Sequence, residues 1–364
     1  MKYFICTSLI VLLFNRCVSD TDVKKDINIL EINFDKEYNE LDISQFYNAT
    51  FIPLELNPNS CIGSVDKVIV HKDNIYIMDL YQTKSVYKFN LKGRFITKVG
   101  RQGKGNGEYL SLKDFNIKDD LLYLSSQYDN KIYVYKLNGE FLRVIPLNGT
   151  VGTKFSILNN SSFVINTADG SNKSSAFYKF NGKLLGETSS SKDFLHWLNP
   201  LSFCYYNDTT YMYFAFNNVI YSANEQELVP VCELNFGKYN FPLERINSKK
   251  EFMSSVDNGN YYTMSYFSLS ENYIFMKVFD SKQYFTLVID NKSKEIHKGN
   301  NISFKGFPIY STVGSTLKGP VLLYGPRSQE IYNEHIMENL TFLPENFENS
   351  SEVDNPGVVI LTEK

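Results

Sequence analysis

Between Val65 and Ile145 one pattern is written twice, and it limits the fold more than any bulk property does. The first copy reads Asp66-Lys67-Val68-Ile69-Val70, Ile75-Tyr76-Ile77, Val86-Tyr87-Lys88-Phe89 and Phe95-Ile96, with Asp73-Asn74 and Lys92-Gly93 at two of the joints. The second reads Lys113-Asp114-Phe115-Asn116-Ile117, Leu122-Tyr123-Leu124, Ile132-Tyr133-Val134-Tyr135 and Phe141-Leu142, with Asp119-Asp120 and Asn138-Gly139 between runs. Alternating β-branched and aromatic residues broken by Asp, Asn and Gly specify short antiparallel strands joined by tight turns. Four such strands per copy make a meander, and tandem meanders of this period are propeller blades.

Less regular copies follow. A third holds Phe155-Ser156-Ile157, Phe163-Val164-Ile165, Ala176–Phe180 and Leu184-Leu185, with Asn181-Gly182 at its last turn. A fourth spans Leu201–Tyr206, Tyr211–Phe216, Val219–Ser222 and Val229–Leu234. The fifth, Tyr262–Leu269, Tyr273–Phe279, Tyr284–Ile289 and Glu295–His297, arrives late because Gly237–Tyr261 is inserted before it. In that insertion Pro242 opens a helix-like stretch with Leu243, Ile246, Met253 and Val256 near one face. The last unit has Ile302–Ser311, Val321–Tyr324, an expected helix Ser328–Leu340 and Val358–Leu361. That unit lacks one strand, while the early run Ala49–Leu56 has no neighbours in sequence. Pairing the two removes a pair of exposed edges. The expected fold is an all-β, six-bladed propeller of four-stranded blades over residues 46–364. Its last blade is closed by an N-terminal strand, with a helical insertion in blade five and a helix in blade six.

The N-terminus reads as a targeting segment. Lys2 precedes an apolar run of twelve residues, Tyr3 to Phe14, too short to span a bilayer and suited to a secretory signal over residues 1–16. Cys17 follows directly and resembles the lipidation site of bacterial lipoproteins, with plain secretion as the alternative. Residues 17–45 are then the lipid-attachment Cys and a tether. Removing residues 1–16 takes Lys2 and Arg16 from 37 basic residues against 40 acidic ones, so 35 − 40 leaves −5. No basic cluster exceeds Lys24-Lys25 or Lys249-Lys250, which argues against nucleic acid as a partner. Cys61, Cys204 and Cys232 remain, at no metal-like spacing and with their disulfide state open.

Five segments carry a family resemblance. Val99-Gly100-Arg101-Gln102-Gly103-Lys104-Gly105-Asn106-Gly107-Glu108-Tyr109 resembles the inter-blade linker of NHL-repeat propellers, and Asn74–Asp79 and Ser85–Phe89 are similar to that family's second and third strands. More closely, the chain resembles the six-bladed propeller lipoproteins of Bacteroides and relatives. It shares their leader, their initial strand (here Phe51-Ile52-Pro53-Leu54-Glu55) and their closing strand (here Asp354-Asn355-Pro356-Gly357-Val358-Val359-Ile360). The resemblance implies a fold and an envelope location, and no reaction.

No catalytic constellation stands beside this scaffold. Gly103-Lys104 is followed by Gly105 and then a strand, so the glycine run is neither a Walker loop nor a dinucleotide fingerprint. It reads as a connector using left-handed glycines, from which Arg101 and Glu108 could line a channel mouth. His71, His196, His297 and His335 are scattered without paired spacing, so no metal site is indicated, and the cofactor is left open. Phe194–Pro200, with His196 and Trp197, and the insertion's end at Tyr261-Tyr262 are connector aromatics placed where propellers bind ligands. The candidate ligand-binding residues are therefore Arg101, Glu108, His196, Trp197, Tyr261 and Tyr262. The expected function is non-enzymatic binding of a glycan, peptide or envelope protein, with a propeller lyase or hydrolase as the alternative. That alternative requires two or more of His71, His196 and His297 at one channel point.

Overall fold

A computed structural model describes residues 27–34, 40–148, 150–167, 173–189, 200–280, 282–309, 311–325, 343 and 354–364. The repeats become sheets in the order in which they are written. Sheet one is Lys67–His71, Asn74–Asp79, Ser85–Asn90 and Phe95–Val99, and sheet two is Asp114–Lys118, Leu121–Ser126, Lys131–Lys136 and Phe141–Pro146. Sheet three is Gly152–Ile157, Ser162–Thr167, Lys173–Lys179 and Leu184–Ser189. Sheet four is Pro200–Tyr206, Thr209–Phe214, Val219–Ala223 and Leu228–Asn235, with Asn28–Glu31 added in parallel to its outer strand. Sheet five is Thr263–Leu269, Tyr273–Phe279, Tyr284–Asp290 and Ile296–Gly299.

Among the described residues seven sheets form where six blades were expected. The run Ile302–Ser311, assigned to the last blade, instead contributes Asn301–Phe304 and Phe307–Pro308 to a three-stranded sheet six with Glu40–Asp42. Sheet seven then takes Thr312–Thr316 as its inner strand, followed by Gly319–Tyr324, Gly357–Glu363 and the N-terminal strand Tyr47–Ile52. The cause is the break at Lys305-Gly306, both at positive φ, which folds the apolar run back on itself. Ile302, Phe304 and Phe307 then pack with Leu41, Ile43 and Phe51 in one buried cluster. A second correction concerns the segment expected as a tether to residue 45, because Asn28–Glu31 and Glu40–Asp42 are strands of sheets four and six. Cys17 and the helix expected at Ser328–Leu340 lie outside the described residues. Among the described residues the one α-helix is Lys249–Asn258 in the insertion, capped by Ser248, whose side chain accepts the Glu251 N–H.

The run patterns follow from position in a sheet. Middle strands are covered on both faces by neighbouring sheets, so Ile75, Tyr76, Ile77 and Met78 are all buried. Outer strands meet solvent on one face, and in Phe95–Val99 the exposed Ile96 and Lys98 alternate with half-buried Phe95 and Thr97 and buried Val99. Aromatic rings fill the space between sheets, with Tyr76, Tyr87, Phe89, Phe115, Phe155 and Tyr178 fully buried. Each such ring is worth roughly 1.5–3 kcal/mol of transfer free energy.

Inner strands pose a different problem. One edge faces the centre of the ring and has no strand partner, so its backbone N–H and C=O groups need others. Side chains of other sheets supply them. Asp114 Oδ2 accepts the Phe155 N–H at 3.0 Å, Asn116 Nδ2 donates to Phe155 O at 2.7 Å, and Ser125 Oγ donates to Thr153 O at 2.7 Å. Thr210 Oγ1 donates to Ile157 O at 3.1 Å, and Tyr266 Oη to Gly314 O at 2.6 Å. Sheet seven meets sheet one at Gly314, where a Cβ would come within 2.1 Å of Val68 O, so only a bare Cα fits.

The chain ends are clasped by one buried amide. Asn355 Nδ2 donates to Glu55 O and Ser60 O at 2.8 Å each, and its Oδ1 accepts the Ile62 N–H at 2.9 Å. Asn355→Ala is expected to cost about 2–4 kcal/mol, because three buried backbone groups lose their partner. Chemical denaturation checks this, and a loss below about 0.5 kcal/mol would show that the clasp is not holding the ends.

Candidate site at the channel mouth

Meander topology places every sheet-to-sheet connector at one end of the ring. There outer strands finish, inner strands begin, and the turns between second and third strands lie. All the sequence candidates on connectors, Arg101, Glu108, Tyr261 and Tyr262, belong to that end. His196 and Trp197 belong to the connector between sheets three and four and lie outside the described residues.

The glycine-rich linker binds an anion of its own. Glu108 Oε2 accepts the Gly105 N–H at 2.8 Å, and its Oε1 accepts from Arg101 Nε at 2.6 Å. The Gly105 N–H and then the Arg101 guanidinium hold this carboxyl below the usual range. A Cβ on Gly103 would meet Glu108 Oε2 at 2.0 Å, so the glycine makes room for the carboxylate. Gly100 and Gly107 supply the left-handed turns, at φ +71° and +74°. The linker is thus a self-satisfied loop, with the Arg101 side chain lying mostly in solvent.

Tyr262 is corrected from a ligand residue to a packing one. It is buried, and its ring stacks on Phe34 at 4.2 Å between centroids and 8° between planes. Tyr261 is half-buried edge-on against Phe241 at 5.2 Å, and Phe216, Phe241 and Phe252 fix the insertion to the ring. The two described histidines, His71 and His297, are separated. His71 Nε2 lies 3.0 Å from Asp120 Oδ1 at the opposite end, while His297 is on the outer strand of sheet five, 4.7 Å from the Phe46 ring. Among the described residues no three His, Cys, Asp or Glu side chains gather to hold a metal.

What the inner strands do bring together is a set of charges missed in the sequence. Lys67, Asp114 and Lys154 each stand one residue before the first large buried side chain of an inner strand, Val68, Phe115 and Phe155. Their shared register made them findable once the repeats were aligned. Lys67 Nζ donates to Asp114 Oδ1 at 2.7 Å, with the Asp114 side chain almost fully buried. Asp66, one residue earlier, is held by Ser64 Oγ and the Leu80 N–H, both at 2.7 Å. Asp79 behind it is fully buried. Burial pushes its carboxyl up, but the N–H groups of Gln82 and Gly63 and the hydroxyls of Ser64 and Thr83 outweigh this and hold it low.

Lys154 is open to solvent on its surface yet ringed by protein. Lost hydration pushes its ammonium down, Lys67 adds to that, and Asp114 and Asp66 pull against it. Lys277 on sheet five pairs in register with Tyr266, as Ser125 does with Asp114. Burial alone pushes Lys277 down to about 8. Its folded value lies below the ordinary 10.5, so folding bears the full cost of the buried charge below pH 8 and sheds it as pH rises towards 10.5. Lys277→Met is therefore expected to stabilise the chain at pH 7 by about 1 kcal/mol, a gain that fades by pH 10. Denaturation midpoints of both proteins at the two pH values check this, and an equal gain at both would contradict it.

A family described as a domain of unknown function, DUF4934, matches residues 25–362. Among solved structures, an exported protein from Bacteroides fragilis is similar at TM-score 0.72 and 14% identity, covering 93% of this chain and all of that one. A member of the DUF4221 family from Bacteroides vulgatus is similar at TM-score 0.52 and 10% identity, covering 87% of this chain and 96% of that one. At those identities the likeness is one of fold. No curated protein matches the chain. With the match running over nearly its whole length, the chain belongs to the DUF4934 family.

Proposed function

We propose that this propeller is a non-enzymatic binding protein of the cell envelope, taking its ligand at the channel mouth. The observation that carries the reading is the Asp66, Lys67, Asp114 and Lys154 group at the start of three successive inner strands. Charged side chains held there are preorganised, so a ligand bears little ordering cost on binding. The separation of His71 from His297 favours binding over the histidine-dependent lyase alternative. An envelope location is supported by the leader expected over residues 1–16 and by the exported Bacteroides protein of like fold. A lipid on Cys17 would hold the ring at the membrane; among the described residues no helix is long and apolar enough to cross one.

Capture from an envelope extract tests the first part. Wild-type protein is expected to retain a ligand or partner that Lys154→Ala binds about tenfold less tightly, at unchanged thermal stability. Turnover of a substrate without any stably retained ligand would sink the binding reading. For the anchor, palmitate is expected to label wild type and not Cys17→Ser, and equal labelling of both would remove it.

A further inference from the structure

Two tyrosines on the same end of the ring are unexplained by packing. Tyr128 and Tyr81, at 76% and 70%, are the most exposed large apolar or aromatic side chains among the described residues. They also occupy equivalent places. Lys67 pairs with Met78 and Asp114 with Ser125, so Tyr81 and Tyr128 each stand three residues past the same register point of neighbouring sheets. Both rings thus stand on the turns between second and third strands, at the mouth end.

Neither turn is loose. The Leu80 N–H donates to Asp66 Oδ2 at 2.7 Å and the Gln82 N–H to Asp79 Oδ1 at 2.9 Å, which grips the chain on both sides of Tyr81. Ser111 Oγ accepts the N–H groups of Gln127 and Tyr128 at 2.9 and 3.1 Å. Tyr109 Oη donates to Lys84 O at 2.7 Å, so the linker from sheet one to sheet two is stitched to both turns. Both turns are therefore tied to the one linker, which also carries Arg101 and Gln102.

We infer that Tyr81 and Tyr128 form a two-ring stacking surface for the pyranose units of a glycan, an inference that rests on the binding reading above and names its ligand class. A ring held in water on a pinned turn exposes a flat apolar face, which suits the C–H face of a sugar, while exposed amides satisfy hydroxyls. Gln82, exposed and next in the chain to Tyr81, and Gln127, next to Tyr128, carry such amides. A tyrosine anchoring a protein partner usually sits in a pocket whose apolar neighbours exclude water. Amide neighbours and high exposure favour the sugar. Immobile turns and a side chain with two torsions keep the ordering cost low.

Wild type, Tyr81→Ala, Tyr128→Ala, Tyr81→Phe and, as a control at the opposite end, Leu317→Ala should be applied to an array of neutral and uronic-acid oligosaccharides. Wild type is expected to retain at least one oligosaccharide, with each alanine variant about tenfold weaker and Tyr81→Phe and Leu317→Ala unchanged. Circular dichroism would check that the variants fold. The array's two arms decide between neutral and acidic sugars. The inference is overturned if wild type retains no oligosaccharide, or if retention ignores both alanine substitutions. It is also overturned if the tyrosines prove necessary for a captured polypeptide instead. An envelope ligand still held by both Tyr81→Ala and Tyr128→Ala but lost in Lys154→Ala would overturn this surface and leave the binding reading standing.

Discussion

The fold depends on how the inner strands satisfy the edge that faces the centre of the ring. A strand edge buried without partners forfeits roughly 1–3 kcal/mol for each orphaned group. Here the partners come from side chains of other sheets, so register within one repeat fixes packing against another. Asp114 shows the coupling most clearly. One oxygen takes the Lys67 ammonium and the N–H of the next residue, Phe115, and the other takes the Phe155 N–H. Three successive sheets are joined through a single carboxylate.

That solution has a consequence for chemistry. Polar side chains recruited to satisfy inner edges are concentrated where inner strands begin, which is also the end that collects the connectors. The mouth of the ring is therefore charged for a structural reason before any ligand is considered. Asp114 and Asp79 are consumed by this work, since their oxygens are filled by the protein. Lys154 and Lys277 are different, because their surroundings disfavour the charge they carry. Groups held at a cost to stability are the ones for which a functional role is the natural hypothesis.

Much of this architecture was legible in the residues, and the misreadings have physical causes. Gly93, Gly139 and Gly182 marked three turns correctly, and each sits at positive φ. Tyr47–Ile52 pairs with Gly357–Glu363, as the orphan strands required. The sheet count failed at Ile302–Ser311, where an apolar run looks like one strand and only the left-handed Lys305-Gly306 pair breaks it. Tyr262 misled because exposure of an aromatic depends on its tertiary partner: Phe34, which covers it, lies more than two hundred residues earlier. Lys67, Asp114 and Lys154 escaped notice because charged residues beside strands usually mean solvent. Only the closure of the ring turns them inward.

The central claim is that ligand engages the connector end and not the other. Hydrogen–deuterium exchange of the protein with and without material captured from envelope extract tests it directly. The expected result is added protection in the segments around Ser64–Asp66, Leu80–Lys84, Arg101–Ser111 and Gln127–Asn130, with none at the opposite turns Lys72-Asp73, Asp119-Asp120 and Asn207-Asp208. Protection confined to those opposite turns would contradict it.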